Sequence, residues 1–170
     1  EKTRPTFADS LRKYPGQLEF ISLDFDGTTP PREIYRGVDG VFLMRPPQVG
    51  DVESLMFPFL RKAAEAGVPY VALLSLLGAQ WMPFLPHRKL EREIARLGVP
   101  HTFMRAGFFM QNLDTVFREF VREKDELPVP AGGSETSFVD ARDLGETAAL
   151  LLASEGSLPA EVELTGEERY

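Results

Sequence analysis

Short apolar runs and longer amphipathic stretches alternate along this chain. Leu18 to Leu23 reads LEFISL, a run rich in strand formers followed by the turn signal Asp26-Gly27, and it predicts a strand ending in a loop. Val38 to Met44 repeats the pattern and stops at Arg45-Pro46-Pro47, because proline has no N–H to give to a ladder. Val52, Leu55, Met56, Phe59, Leu60 and Ala63 follow the i, i+3, i+4, i+7 rule, which predicts a helix capped by Asp51, ended by Gly67 and bent at Pro58. Val71 to Leu77 is apolar everywhere except Ser75, as suits a parallel strand covered on both faces. Leu90, Ile94 and Leu97 predict a helix stopped by Gly98, and His101 to Arg105 the next strand. A stripe of Leu113, Val116, Phe117, Phe120 and Val121 predicts a further helix, and Ser137 to Val139 a short strand. Asp140 then caps a helix carrying Leu144, Ala148, Leu151 and Leu152, before Val162 to Leu164 forms a last strand.

This alternation matches right-handed βαβ crossovers and predicts an α/β protein with a doubly wound, mainly parallel sheet. Leu18 to Leu23, Val38 to Met44, Val71 to Leu77 and His101 to Arg105 are expected to run parallel in one sheet, with helices on both faces. Ligands of such sheets bind beyond the carboxyl ends of the strands. That rule nominates Asp24 and Phe25, Met44 to Pro47, Ser75 to Gly78, and Ala106 to Phe109 as the wall of one continuous cleft. Repeats, low-complexity tracts and composition shifts are absent, so residues 1–170 read as one domain.

Composition narrows the partners. Basic residues number 19 and acidic residues 26, a net charge of -7, which is the wrong sign for gripping phosphate backbones and argues against nucleic acid as a direct partner. With no cysteine, disulfide scaffolds, thiolate zinc sites and cysteine nucleophiles are excluded together. The uncharged stretch from Ala66 to Pro86 is interrupted by Pro69, Gly78, Gln80 and Pro83, so it reads as a strand and a loop rather than a membrane span, and the expectation is a soluble, cytoplasmic protein. The helix bearing Arg88, Lys89, Glu91, Arg92, Glu93 and Arg96 reads as a solvated face laced with salt bridges.

Two motifs compete for the chemistry. LDFDGTT at Leu23 to Thr29 resembles the first motif of haloacid dehalogenase-type phosphatases, which would make Asp24 a nucleophile and Asp26 a general acid and base around magnesium. Ser75, Lys89 and the pair Asp140 and Asp143 could serve as companions. A wider resemblance covers far more of the chain. GVDGVFLMRPPQV, FPFLRKAAEAGV, LLSLLGA, PHRKLEREIARLGVPHTFMRAGFFMQNL and TSFVDARDLGETAA, in this order between about Leu18 and Gly166, are similar to the NmrA-like family, atypical short-chain dehydrogenase/reductase relatives with an NAD(P)-binding Rossmann domain.

That resemblance implies a dinucleotide cofactor, NADP before NAD, held by Asp24, Phe25, Met44, Arg45, Pro46, Ser75, Leu76, Gly107 and Phe108, with no metal. Asp24 would accept from the adenine amine and Phe25 cover its ring. It also implies that the glycine-rich fingerprint and the first strands precede Glu1, since the earliest glycine is Gly16, and that a smaller substrate region follows Tyr170. The dehydrogenase signature Tyr-x-x-x-Lys is missing: His87 stands where its lysine would be and Pro83 where its tyrosine would be. His87 becomes the catalytic candidate, placed to hydrogen-bond a nicotinamide ribose or to donate to a quinone oxygen. His101 is assigned to structure. Three readings result: an NADPH-dependent reductase of quinones or similar carbonyl compounds, with a small apolar acceptor; a non-catalytic redox sensor with a regulatory protein partner; and the magnesium-dependent phosphatase.

Overall fold

The computed structural model describes residues 13, 15–19, 21, 23–25, 32–128 and 135–168. Asp26 and Gly27 lie outside these residues. Four strands, β1 (Val41–Met44), β2 (Val71–Leu76), β3 (His101–Ala106) and β6 (Glu161–Leu164), form one sheet in the order β1-β2-β3-β6. Every pair is parallel, with Val41 opposite Val71, Val71 opposite His101, and Phe103 opposite Glu161. A second sheet joins β4 (Phe108–Phe109) to β5 (Phe138–Val139), also in parallel.

Sequence chemistry sets the helix boundaries. The helix expected from Val52 onward is two: α1 (Val52–Leu55) and α2 (Phe57–Glu65), divided at Met56. Pro58 has no N–H to return to the carbonyl of Ser54, so the ladder breaks there and the proline sits in the first turn of α2, where the missing donor costs nothing. Asp51 caps α1 by accepting from Ser54 N at 3.2 Å. α3 (Pro86–Leu97) opens on proline and stops at Gly98, whose φ of 71° supplies the left-handed residue that ends a helix. α4 (Ala141–Ala153) is capped by Asp140, which accepts from Arg142 N.

The pleat divides the core in two. Val71, Leu73 and Phe103 pack with Val52, Met56, Leu60, Leu90 and Ile94 under α1 to α3. Ala72, Leu74, Met104 and Ala106 pack with Leu144, Ala148 and Leu151 under α4. Helices therefore cover both faces, and no described helix is long and apolar enough to cross a membrane.

Two expectations need correction. None of the described residues of Leu18 to Leu23 belongs to a strand. A strand persists only with a ladder partner, and β1 pairs with β2 alone among the described strands; Leu23 and Phe25 instead pack on the first core, Phe25 edge-on to Phe59 at 5.8 Å. The stripe at Leu113 to Val121 does not make one regular helix either. A 3-10 turn at Met110–Asn112 leads to a π-helical turn at Phe120–Lys124. Asp114 N donates three residues back to Gln111 O and Phe117 N five residues back to Asn112 O, in a segment whose Phe117 ring stacks on Phe108 at 5.6 Å. Tertiary packing has overridden the helical period.

A candidate binding site at the carboxyl edge of the sheet

Alternate residues of β2 and β3 build two different environments. Ser75 and Arg105 point toward α3, where Glu91 is 0% exposed. Its Oε1 accepts from Ser75 Oγ at 2.7 Å and Arg105 Nε at 2.9 Å, and its Oε2 from Arg88 Nη1 at 2.8 Å and Arg105 Nη2 at 3.2 Å. Arg105 Nη1 continues to Glu161 at 2.7 Å. Burial pushes the Glu91 carboxyl up, but the hydrogen bonds from Arg105, Ser75 and Arg88 outweigh it and hold the group below its usual range. Glu93, 5% exposed, is similarly held by Arg96 and Arg61. The face expected to be solvated thus hides two carboxylates. Glu91 lies in phase with Leu90 and Ile94, and Arg105 stands in a buried strand; together those two signals could have revealed the pair.

His87 begins α3, beside Arg45 at the end of β1. Burial and then the positive charge of Arg45 push its pKa down to about 4, against a smaller opposing pull from Glu91. The ring is therefore neutral at neutral pH, and its Nδ1 has no hydrogen-bond partner among the described residues. A neutral imidazole suits hydrogen bonding to a ribose and works against donating a proton to a quinone. Arg45 Nη1 donates to the carbonyls of Pro46 at 3.0 Å and Val49 at 2.7 Å, so that arm of the guanidinium braces its own loop. Met44 is exposed and Pro46 half-buried. His101 stacks on Phe103 at 4.4 Å, a structural role.

A cavity of about 780 Å³ opens on the other side of the pleat, at the carboxyl ends of β2, β3 and β6. Leu76, Leu77, Ala106, Gly107 and Phe108 form its apolar part. Gly107 suits this place because a Cβ would lie 3.1 Å from the backbone oxygen of Ser137, just before β5, a contact tighter than side chains ordinarily make. Phe108 stacks with Phe117 and meets Phe138 edge-on at 5.3 Å, whereas Phe109 turns to the second core. Of the nominated residues, this cavity brings together Leu76, Leu77, Ala106, Gly107 and Phe108. Asp24, Phe25, Met44, Arg45, Pro46, Ser75 and His87 are not in its lining. Side chains of successive residues leave opposite faces of a strand, so one edge yields two sites where the loop rule expects one.

The same cavity is rimmed by Glu135, Ser137, Glu163, Thr165 and Glu167, none of them anticipated. The edge rule would have found Glu163 to Glu167 had it been applied to the last strand, since they end β6 just as Leu76 ends β2.

No protein-family model matches the chain. It is 26% identical over 147 residues to prestalk A differentiation protein A of Dictyostelium discoideum, covering 86% of this chain and 48% of that protein. It is 29% identical over 141 residues to an NAD(P)H azoreductase of Xenophilus azovorans, covering 78% and 47% respectively. The chain therefore spans about half the length of the curated relatives it matches. Among solved structures, an NADPH-dependent quinone oxidoreductase of Escherichia coli in complex with NADPH superposes with a TM-score of 0.65 at 23% identity, over 82% of this chain and 50% of that one. The fold is Rossmann-like. Its parallel sheet and crossover helices superpose on those of that oxidoreductase.

Proposed function

We propose that this chain is the NAD(P)-binding part of an NmrA-like reductase that uses NADPH to reduce quinones or similar carbonyl compounds. The observation that carries the reading is the cavity at the carboxyl ends of β2, β3 and β6, walled by Leu76, Gly107 and Phe108, on a parallel sheet superposable on an NADPH-dependent quinone oxidoreductase. The azoreductase relative, which covers a similar span, points to the same class of electron transfer. The residues suit such a cofactor: the neutral His87 offers to a ribose hydroxyl an Nδ1 that has no partner among the described residues, and Leu76, Leu77 and Phe108 offer an apolar wall to a ring. Asp24, exposed at the amino-terminal side, is the proposed adenine contact, and Met44, Arg45 and Pro46 the loop along the dinucleotide. When bound, the cofactor supplies a hydride. The chain's own contribution is to orient donor and acceptor and to keep water from between them.

A sensor reading is favoured by one observation, the missing Tyr-x-x-x-Lys acid, together with a relative named for differentiation rather than catalysis. Titrating the full-length protein with NADPH and then adding a quinone separates the two. The reductase reading expects binding followed by quinone-dependent NADPH oxidation, and Asp24→Asn should weaken binding by about 0.5–3 kcal/mol, the range for one hydrogen bond. Binding without turnover favours the sensor, and no dinucleotide binding at all overturns both.

A further inference from the structure

We infer that the amino edge of the sheet holds a second ligand site, for a small neutral aromatic compound that bears one hydroxyl or carbonyl group. The inference goes beyond the reductase reading and does not depend on it. A cavity of about 450 Å³ opens where β2, β3 and β6 begin, with Tyr70, Val99, Pro100, Leu158 and Ala160 in its lining. That size lies in the range that holds small organic ligands. Because the three strands are parallel, this cavity and the one lined by Leu76, Gly107 and Phe108 lie at opposite ends of the same strands. A ligand here leaves the proposed dinucleotide edge open.

The walls set the chemistry of the ligand. Among the described residues no aspartate, glutamate, lysine or arginine lines the cavity, so a charged ligand would leave water without gaining a counter-charge. Backbone carbonyls at the strand entries are already engaged: Tyr70 O accepts from Val41 N, Pro100 O from Val71 N and Ala160 O from Phe103 N, each at 2.9 Å. His101 is committed as well, its ring stacked on Phe103 and its Nδ1 donating to Val99 O at 2.7 Å. Tyr70 differs. Its side chain, like that of Leu158, packs on the second core, while its hydroxyl is buried with no hydrogen-bond partner among the described residues. An orphaned hydroxyl costs free energy, and a ligand oxygen that reaches it relieves that cost. A phenol both donates and accepts, so a carbonyl or a hydroxyl can serve, and Val99, Pro100 and Leu158 leave the rest of the ligand apolar.

The test is equilibrium dialysis of the full-length protein against 2-naphthol, naphthalene and 2-naphthoate, with and without an excess of NADPH. 2-Naphthol should bind roughly fivefold more tightly than naphthalene, the difference one hydrogen bond makes, and 2-naphthoate most weakly; NADPH should displace none of them. In Tyr70→Phe the preference for 2-naphthol over naphthalene should vanish while the unfolding midpoint stays where it was, because a hydroxyl without a partner supports no contact of the fold. Ala160→Trp, at an exposed position of the lining, should abolish binding of both by filling the mouth. The inference is overturned if 2-naphthol does not bind or binds no better than naphthalene, if NADPH displaces it, or if its binding survives Ala160→Trp. It is overturned equally if the preference survives Tyr70→Phe, or if that variant lowers the midpoint and so reveals a partner for the hydroxyl within the fold.

Discussion

The two sides of one pair of strands make an instructive contrast. On the α3 side, Ser75 and Arg105 meet Glu91 in a closed network in which both carboxylate oxygens accept hydrogen bonds. One residue further along, Leu76 and Ala106 open on a cavity whose rim carboxylates, Glu163 and Glu167, have no ion-pair partner among the described residues. The same residue type therefore does opposite work at two places along the same strands. A buried carboxylate must be paired or the fold loses stability, whereas an exposed one costs the fold nothing and remains available to a ligand.

The strongest way to break this contrast is to attack the closed side. Glu91→Gln leaves the Arg105 guanidinium buried with only Glu161 as a charged partner, and should lower stability by about 3–5 kcal/mol, the usual loss on removing one partner of a buried pair. Denaturant unfolding would show it. A loss no greater than that of an exposed substitution would mean that the network is ornamental.

That network also marks where the sequence was legible and where it was not. Val71 to Leu76 could be recognised as a doubly covered strand because, Ser75 apart, its side chains are apolar and need only apolar, interchangeable neighbours. Glu91 could not be placed so easily, because its environment is decided by Ser75 and Arg105 on two other elements. Phe117 shows the same effect within a segment: its helical period was plain, and its stack on Phe108 rewrote the backbone. Leu18 to Leu23 had the composition of a strand but no ladder partner among the described strands. At the carboxyl edge, the edge rule nominated Leu76, Leu77, Ala106, Gly107 and Phe108, which line the cavity, but residue spacing along a loop does not say on which side of the pleat a side chain falls.

A middle-sized effect should come from His87, at the border of the closed side. Its folded pKa of about 4 lies below the 6.5 of a free imidazole, so the unfolded chain binds the proton first as pH falls. The contribution is complete above pH 6.5 and is lost as pH drops toward 4; over that window it should amount to about 1–3 kcal/mol. Thermal unfolding between pH 7 and 5 should fall more steeply for the native protein than for His87→Asn. Parallel curves would show that the ring is not held neutral by the fold.

The smallest effect sharpens the comparison from the open side. Glu163→Gln/Glu167→Gln should leave the unfolding midpoint unchanged, because both side chains are exposed and neither has an ion-pair partner among the described residues. A clear fall in the midpoint would place them in the structural class with Glu91.

The two-residue sheet β4–β5 has a consequence for how large an acceptor the cavity admits. It is separate from the four-stranded sheet and only two residues long, with Phe109 and Val139 packed on the second core, Phe108 against Phe117 and Phe138, and Gln111 bridging to Asp140. A ladder of two residue pairs opens at lower free energy than the main ladder, so the amides of Phe109 and Val139 should exchange with deuterium well before that of Leu73. The wall that carries Phe108 can then swing outward while β2 and β3 stay intact. The width of the cavity becomes an equilibrium property of the chain, adjustable to acceptors of different bulk.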